Sequence, residues 1–252
     1  MVKTANLNTD VAASPSTVAD LNADLTAHIA LSTEALSWQA SPSPGVMRKR
    51  LYRAGPHEAG RVTSIVRYDA GATFPSHEHP EGEEILVLSG VFSDEHGDWP
   101  AGTYLLNPEG YRHKPWSEEG CTLFVRLRQH PGLERSGVHI LQAARQWQSL
   151  SRLPADIRRC SLSAGASIAG IGHDIKPDRS LLLHCANPAD LAEQWLTHDL
   201  ELFIITGGVE IEGQYWPAGS WLRWPAGHAV KVTGGDSSLF YARTSGFQHL
   251  GK

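Results

Sequence analysis

The chain is 252 residues long, 41% hydrophobic and only 19% charged, with 24 Gly and 15 Pro; few charges and many turn formers point to a β-rich protein with one large core or two ordinary ones. Its net charge of -5, from 22 Lys+Arg against 27 Asp+Glu with no long basic run, argues against nucleic acid as a direct partner. The longest apolar stretches, residues 85–88 and 202–205, are far short of the roughly 20 residues that cross a bilayer as a helix, so no membrane partner is expected.

Residues 1–27 read as an irregular lead. They lack the apolar core and cleavage site of a secretory signal, which leaves the cytoplasm as the expected compartment. Val18, Leu21 and Leu25 at helical spacing are a weak helix signal within residues 16–25. Next come short segments rich in β-branched and aromatic residues and bounded by Gly, Pro, Asn or Asp: 61–68, 84–88, 103–106 and 122–127. None is long enough for an ordinary helix, and each is expected to be a strand. A second series of such segments follows, interrupted by Asn187-Pro188, which could cap a single helical turn reaching Glu193. Cys121, Cys160 and Cys185 are far apart and form no CxxC pair; they are expected to be reduced, buried thiols.

The second series repeats the first. Glu83-Glu84-Ile-Leu-Val-Leu-Ser-Gly90-Val91 matches Glu201-Leu-Phe-Ile-Ile-Thr-Gly-Gly208-Val209, and Trp99-Pro-Ala-Gly102 matches Trp216-Pro-Ala-Gly219. Residues 29–38 align without gaps to 138–147, each ending on a tryptophan, Trp38 and Trp147. The expected fold is therefore all-β: two tandem jelly-roll barrels, at residues 28–134 and 135–252.

The first copy carries the chemistry. Gly71 is followed after five residues by His77-Glu78-His79, then after three by Glu83 and after six more by Gly90; further on, Gly102 is followed after five residues by Pro108-Glu109-Gly110 and then His113. This pattern resembles the two cupin motifs at their spacings. Residues two apart on a strand face the same way, so His77 and His79 project together. Glu83 lies past the turn Pro80-Glu81-Gly82, and His113 arrives from the second motif. Three nitrogens and one carboxylate oxygen suit one divalent metal, with zinc or iron expected first and manganese or nickel next, and leave room for a further ligand. Glu84 competes with Glu83, but it should face outward on a strand where Glu83 faces inward. Arg50, Tyr104, Trp116 and Arg126 are candidates for shaping a pocket; an inward arginine would favour an anionic or enolate-like substrate. Asp94-Glu95-His96-Gly97-Asp98 reads as a hairpin turn with solvent-facing charges. In the second copy, aligned on Glu201 and Gly208, Trp195 and Thr197 stand where His77 and His79 do, and His198 and His228 are displaced. Only Glu201 keeps its place in that alignment. One metal per chain is expected, with Trp195, Trp221 and Trp224 as packing residues.

The run Pro75-Ser-His-Glu-His79, Gly82-Glu83-Glu84, Asp94-Glu95-His96-Gly97, Pro100-Ala-Gly102, Asn107-Pro108 and His113-Lys-Pro115-Trp116 closely resembles the ChrR-type cupin family. The resemblance covers about residues 36–130 and, more faintly, the second copy. That family includes the metal-binding C-terminal domain of the ChrR anti-sigma factor and free-standing cupins, and lies near diketone-cleaving dioxygenases. It implies an RmlC-like cupin barrel with His77, His79, Glu83 and His113 as metal ligands. ChrR itself carries a further zinc-binding, sigma-binding domain with a CxxC pair, whereas residues 1–27 contain no cysteine. Two functions are expected from this: a metal-dependent enzyme of the dioxygenase type acting on a small dicarbonyl or phenolic molecule, or a ChrR-like zinc-binding regulatory or stress-sensing module. Single-barrel cupins commonly pair through strand exchange or sheet packing, so a duplicated chain is expected to be a monomer or simple homodimer.

Overall fold

The computed structural model describes residues 20–55, 59–130, 136–149, 157–162, 179–191, 199–228 and 231–244. Among them the chain is all-β, with short 3-10 turns at Thr33–Ala35, Gln142–Ala144 and Pro188–Leu191 and no α-helix. Among the described residues no helix is long and apolar enough to cross a membrane. The helix signal at residues 16–25 is not realised where it is described: Leu21 bridges Arg53 in extended backbone, and residues 16–19 lie outside the described residues. The turn expected after Asn187 is the 3-10 turn Pro188–Leu191, beyond which residues 192–198 also lie outside. All three cysteines are buried and none is in a disulfide.

Two antiparallel sheets carry the architecture. The first runs Val138–Ile140, Tyr104–Asn107, Glu83–Asp94, Cys121–Leu127, Arg61–Tyr68, Val46–Ala54, Gln39–Ala40. The second runs Ile29–Ser32, Ser220–Trp224, Leu200–Thr206, Ser238–Thr244, Arg179–Cys185, Arg158–Ser161, Gln148–Ser149. The strand beginning at Glu83 is longer than its apolar run because it continues through Gly90, whose φ of 72° bends the chain without ending the pairing. A Cβ there would meet the Gly120 carbonyl oxygen at 2.0 Å, so a side chain has no room.

The sheets exchange their first strands. Ile29–Ser32 precedes the first barrel in the chain but pairs with Ser220–Trp224 of the second. Its sequence counterpart Val138–Ile140 pairs with Tyr104–Asn107 of the first. Each sheet therefore includes a strand from the far side of the expected boundary between residues 134 and 135.

Between the barrels, Leu86, Tyr104 and Phe124 pack against Leu182, Phe203, Trp221 and Tyr241, with the Phe124 and Phe203 rings stacked at 4.9 Å. A buried polar network runs through this apolar layer. The Glu84 carboxylate accepts from the hydroxyls of Tyr104 (2.8 Å) and Tyr241 (2.9 Å), and pairs with His130 (2.8 Å) and Arg126 (3.4 Å). Arg126 also reaches Glu201 at 3.4 Å, and Glu201 accepts from the Trp221 indole at 2.8 Å.

The register corrects the alignment of the two copies. Glu84 lies opposite Arg126 as Glu201 lies opposite Arg243, and Leu86 lies opposite Tyr104 as Phe203 lies opposite Trp221. Glu201 is therefore the counterpart of Glu84, not of Glu83, and the position of Glu83 is held by Leu200. Two adjacent glycines, Gly207 and Gly208, allowed both alignments; Gly207 is the true partner of Gly90, since each accepts from the alanine that precedes the paired turn glycine, Ala218 and Ala101.

This network makes stability acid-sensitive. Burial alone would raise the Glu84 carboxyl, but the His130 and Arg126 charges and the hydrogen bond from His130 hold it at about 2, against an ordinary 4.5. A carboxyl depressed on folding contributes stability above its unfolded value that is lost as pH falls toward its folded one. The wild-type melting temperature is thus expected to drop between about pH 4.5 and 2 more steeply than that of Glu84→Gln. Thermal scans of the two proteins across that range check this, and parallel curves would contradict it.

Candidate metal centre

The opposite face of the first sheet closes a barrel around Val46, Val66, Tyr68, Ile85, Phe92 and Leu123. On its wall, the strand His77–His79 pairs antiparallel with Tyr111–His113, in a register that sets His77 opposite His113 and His79 opposite Tyr111. This pairing brings the histidine of the second motif to the histidines of the first. Glu83 follows a tight turn in which Glu81 and Gly82 both have positive φ, 62° and 73°.

The three imidazoles form a triangle with ring centroids 4.6 to 5.0 Å apart. Their ligand atoms lie within 4.8 Å of one another, an arrangement that could hold a metal ion. His79 Nε2 stands 2.9 Å from His113 Nε2, and Glu83 Oε2 is 3.2 Å from the first and 3.7 Å from the second. Neighbouring ligands of one metal at bonds of about 2.1 Å are separated by roughly 3.0–3.4 Å. The proton positions fit a cation as well. His113 Nδ1 faces the Asp94 carboxylate at 3.1 Å, an acceptor, and His77 Nδ1 faces the Pro75 carbonyl at 2.9 Å. Both Nδ1 atoms must therefore carry the hydrogen, which leaves the Nε2 lone pairs for a metal. Asn107 donates to Glu83 Oε2 at 3.0 Å and holds that carboxylate in place.

Burial lowers the pKa of His77 and takes His79 down to about 4, with the Arg48 charge acting on His77 and the Arg128 charge on His79 in the same direction. Both rings are neutral near pH 7. For His113 burial acts the same way, but the Asp94 hydrogen bond and the Glu83 charge outweigh it and raise the pKa.

Asp94 corrects an expectation. Expected among the solvent-facing charges of a hairpin turn, it is instead buried and accepts from the His96 amide (2.9 Å) and the Trp99 indole (3.2 Å) as well as facing His113. The strand from Glu83 extends to Asp94, so Asp94 shares the inward face of Phe92. Asp94→Asn is expected to weaken metal binding about 10- to 100-fold, the usual cost of losing a carboxylate that orients a metal-bound histidine. Metal titration of the variant checks this; unchanged affinity would remove Asp94 from the site.

The imidazoles open onto a cavity of about 190 Å³. Of the four pocket-shaping candidates, Arg50 lines it. Tyr104 and Arg126 instead belong to the network between the barrels, and Trp116 sits on a short strand paired with Thr73 and Ser93. The lining also includes Arg48, Arg53 and Arg128, none of them among the four candidates from sequence. Alternation with inward Val46 could have identified Arg48; no local signal marks Arg128.

Residues 26–131 match the model of the ChrR cupin-like domain family. Among solved structures, the cupin fold is shared over most of the chain with a candidate dioxygenase from Nostoc punctiforme, at TM-score 0.65 and 14% identity, over 87% of this chain and 83% of that one. It is also shared with the formate complex of Lactobacillus farciminis oxalate decarboxylase, at TM-score 0.54 and 10% identity over 86% of each chain. A third similar structure is the Escherichia coli pirin YhhW with nickel(II), at TM-score 0.54 and 13% identity, over 87% of this chain and all of that one. No curated protein sequence matches.

The second cupin barrel is filled where the first is hollow. Leu200 and Trp224 face each other across its sheet as Glu83 and Asn107 do in the first, and they pack with Leu222 and Phe240. His228 meets His28 at 5.0 Å, which itself stacks on Trp224 at 5.4 Å. Trp195, Thr197 and His198 lie outside the described residues. Among the described residues, His77, His79 and His113 are the one group found that could hold a metal ion.

Proposed function

We propose that His77, His79, Glu83 and His113 hold one divalent metal per chain, and that the chain is a metal-dependent enzyme of the dioxygenase type acting on a small dicarbonyl or phenolic molecule. The observation that carries this reading is that the ligand atoms face a cavity of about 190 Å³, whereas a purely structural zinc site is closed by its four protein ligands. When bound, the metal supplies a Lewis acid and a template for substrate oxygens. The protein does the positioning: Asp94 and the Pro75 carbonyl orient two of the imidazoles, Asn107 orients Glu83, and Val46, Phe92 and Leu123 wall the cavity against water. The cupin fold shared with a candidate dioxygenase and an oxalate decarboxylase supports this by showing the fold in proteins so described.

The family match favours a second reading, a ChrR-like regulatory module with a tightly held zinc. Elemental analysis of protein purified without a chelating tag separates the two when combined with oxygen-uptake assays on small dicarbonyl and phenolic compounds, both with a carboxylate (acetoacetate, salicylate) and without one (acetylacetone, catechol). Iron with oxygen-dependent turnover supports the enzyme. Stoichiometric zinc and no oxygen uptake supports the regulatory module.

A further inference from the structure

The polar lining of the cavity is unequal in sign. Four arginines, Arg48, Arg50, Arg53 and Arg128, line it, against the carboxylates of Glu78 and Glu83. Glu78 is engaged by Arg112 at 3.0 Å, and Glu83 is turned toward the imidazoles. Arg48 lies two residues from buried Val46 on one strand, so alternation places both on the cavity side. Arg128 enters differently. It has φ of 58°, an uncommon conformation for a long side chain, just after the strand Cys121–Leu127 ends. Its amide is fixed to the Gly82 carbonyl at 2.9 Å, and the His130 amide to the Glu81 carbonyl at 2.9 Å. The tight turn that delivers Glu83 therefore also sets Arg128 against the cavity. Backbone strain held this firmly, beside a candidate reactive site, is the kind that accompanies ligand positioning.

The remaining lining is apolar, and the size is restrictive. A dry cavity of about 150 Å³ accommodates benzene, so one of about 190 Å³ takes a six-membered ring or a chain of similar bulk with a small polar group. An inorganic oxyanion would leave the apolar walls unused, and a neutral apolar molecule would gain nothing from the positive field of four arginines. A guanidinium fork matches the two oxygens of a carboxylate.

We propose that the cavity binds a small organic acid, its carboxylate between Arg48 and Arg128 and its apolar body against Val46, Phe92 and Leu123. This rests on reading the cavity as the reactive site, and it confines the substrate class to acids. An oxygen next to the carboxylate would then lie on the side of His77 and His79.

The test is isothermal titration of the full chain, metal-loaded and metal-stripped, with salicylate, its neutral isostere salicylamide, and inorganic phosphate. Salicylate is expected to bind at least tenfold tighter than either of the others, and Arg48→Gln or Arg128→Gln should cost it at least tenfold while salicylamide binding and metal content stay unchanged. Retained salicylamide binding also reports that each variant is folded. A preference for salicylate that persists in the metal-stripped chain upholds the inference even if the metal reading fails. Equal binding of salicylate and salicylamide, phosphate binding as tight as salicylate, no binding of any probe, or a preference untouched by both arginine variants would overturn it.

Discussion

Replacing His77 or His113 by alanine is expected to abolish tight metal binding, while His228→Ala leaves one metal per chain. Each of the first two substitutions removes one of three converging imidazoles, and His113→Ala also strands the buried Asp94 carboxylate, which faces His113 Nδ1 at 3.1 Å. The remaining donors cannot complete the set, because the second barrel has Leu200 where the first has Glu83 and apolar packing through Trp224 and Phe240. His228 has the His28 ring beside it and belongs to no described group of three ligands. Elemental analysis of the three purified variants measures the effect. Two firmly bound metals per wild-type chain, or equal loss from all three variants, would mean that the second barrel also binds metal.

The other large effect is expected where the barrels meet. A fragment ending at residue 135 exposes Leu86, Tyr104 and Phe124, and deprives the buried pair Glu84 and Arg126 of Tyr241 and Glu201. It also leaves two strands without partners: Tyr104–Asn107 loses Val138–Ile140, and Ile29–Ser32 loses Ser220–Trp224. Open strand edges beside an apolar face promote association, so the fragment should aggregate or dimerise, whereas the intact chain stays soluble. Sizing chromatography decides this; a stable, monomeric, metal-loaded fragment would show that the second barrel does not serve as a cover. In the intact chain, Arg126→Ala leaves Glu84 and Glu201 buried without the cation they share, and removing one partner of a buried ion pair costs about 3–5 kcal/mol. Denaturant unfolding of that variant should show a loss of this order, and a loss below about 1 kcal/mol would mean that the network relaxes around the gap.

The sequence alone determined what depends on local period and spacing. Strands at residues 61–68 and 122–127 follow from their β-branched content, and the facing of His77 and His79 follows from alternation. The spacing to Glu83 and His113 points to a common site, and the pairing of His77–His79 with Tyr111–His113 brings the three imidazoles together. Tertiary structure decided everything that compares one long-range contact with another. Two neighbouring glycines at 207 and 208 permit either alignment of the copies, and only the hydrogen bonds of the turn select Gly207. Nothing in the four residues Ile29–Ser32 names their partner strand, and only the structure shows that they pair with Ser220–Trp224 and pack Ile29 and Leu31 against the layer between the barrels. Asp94 reads as a turn residue because Asp94-Glu95-His96-Gly97-Asp98 has the composition of a hairpin turn, but the strand from Glu83 carries it inward to His113. Glu84 and Arg126 would be ordinary outward charges on a single barrel. They are buried because a second barrel covers them, and burial is a property of the packed pair that no period in either strand encodes.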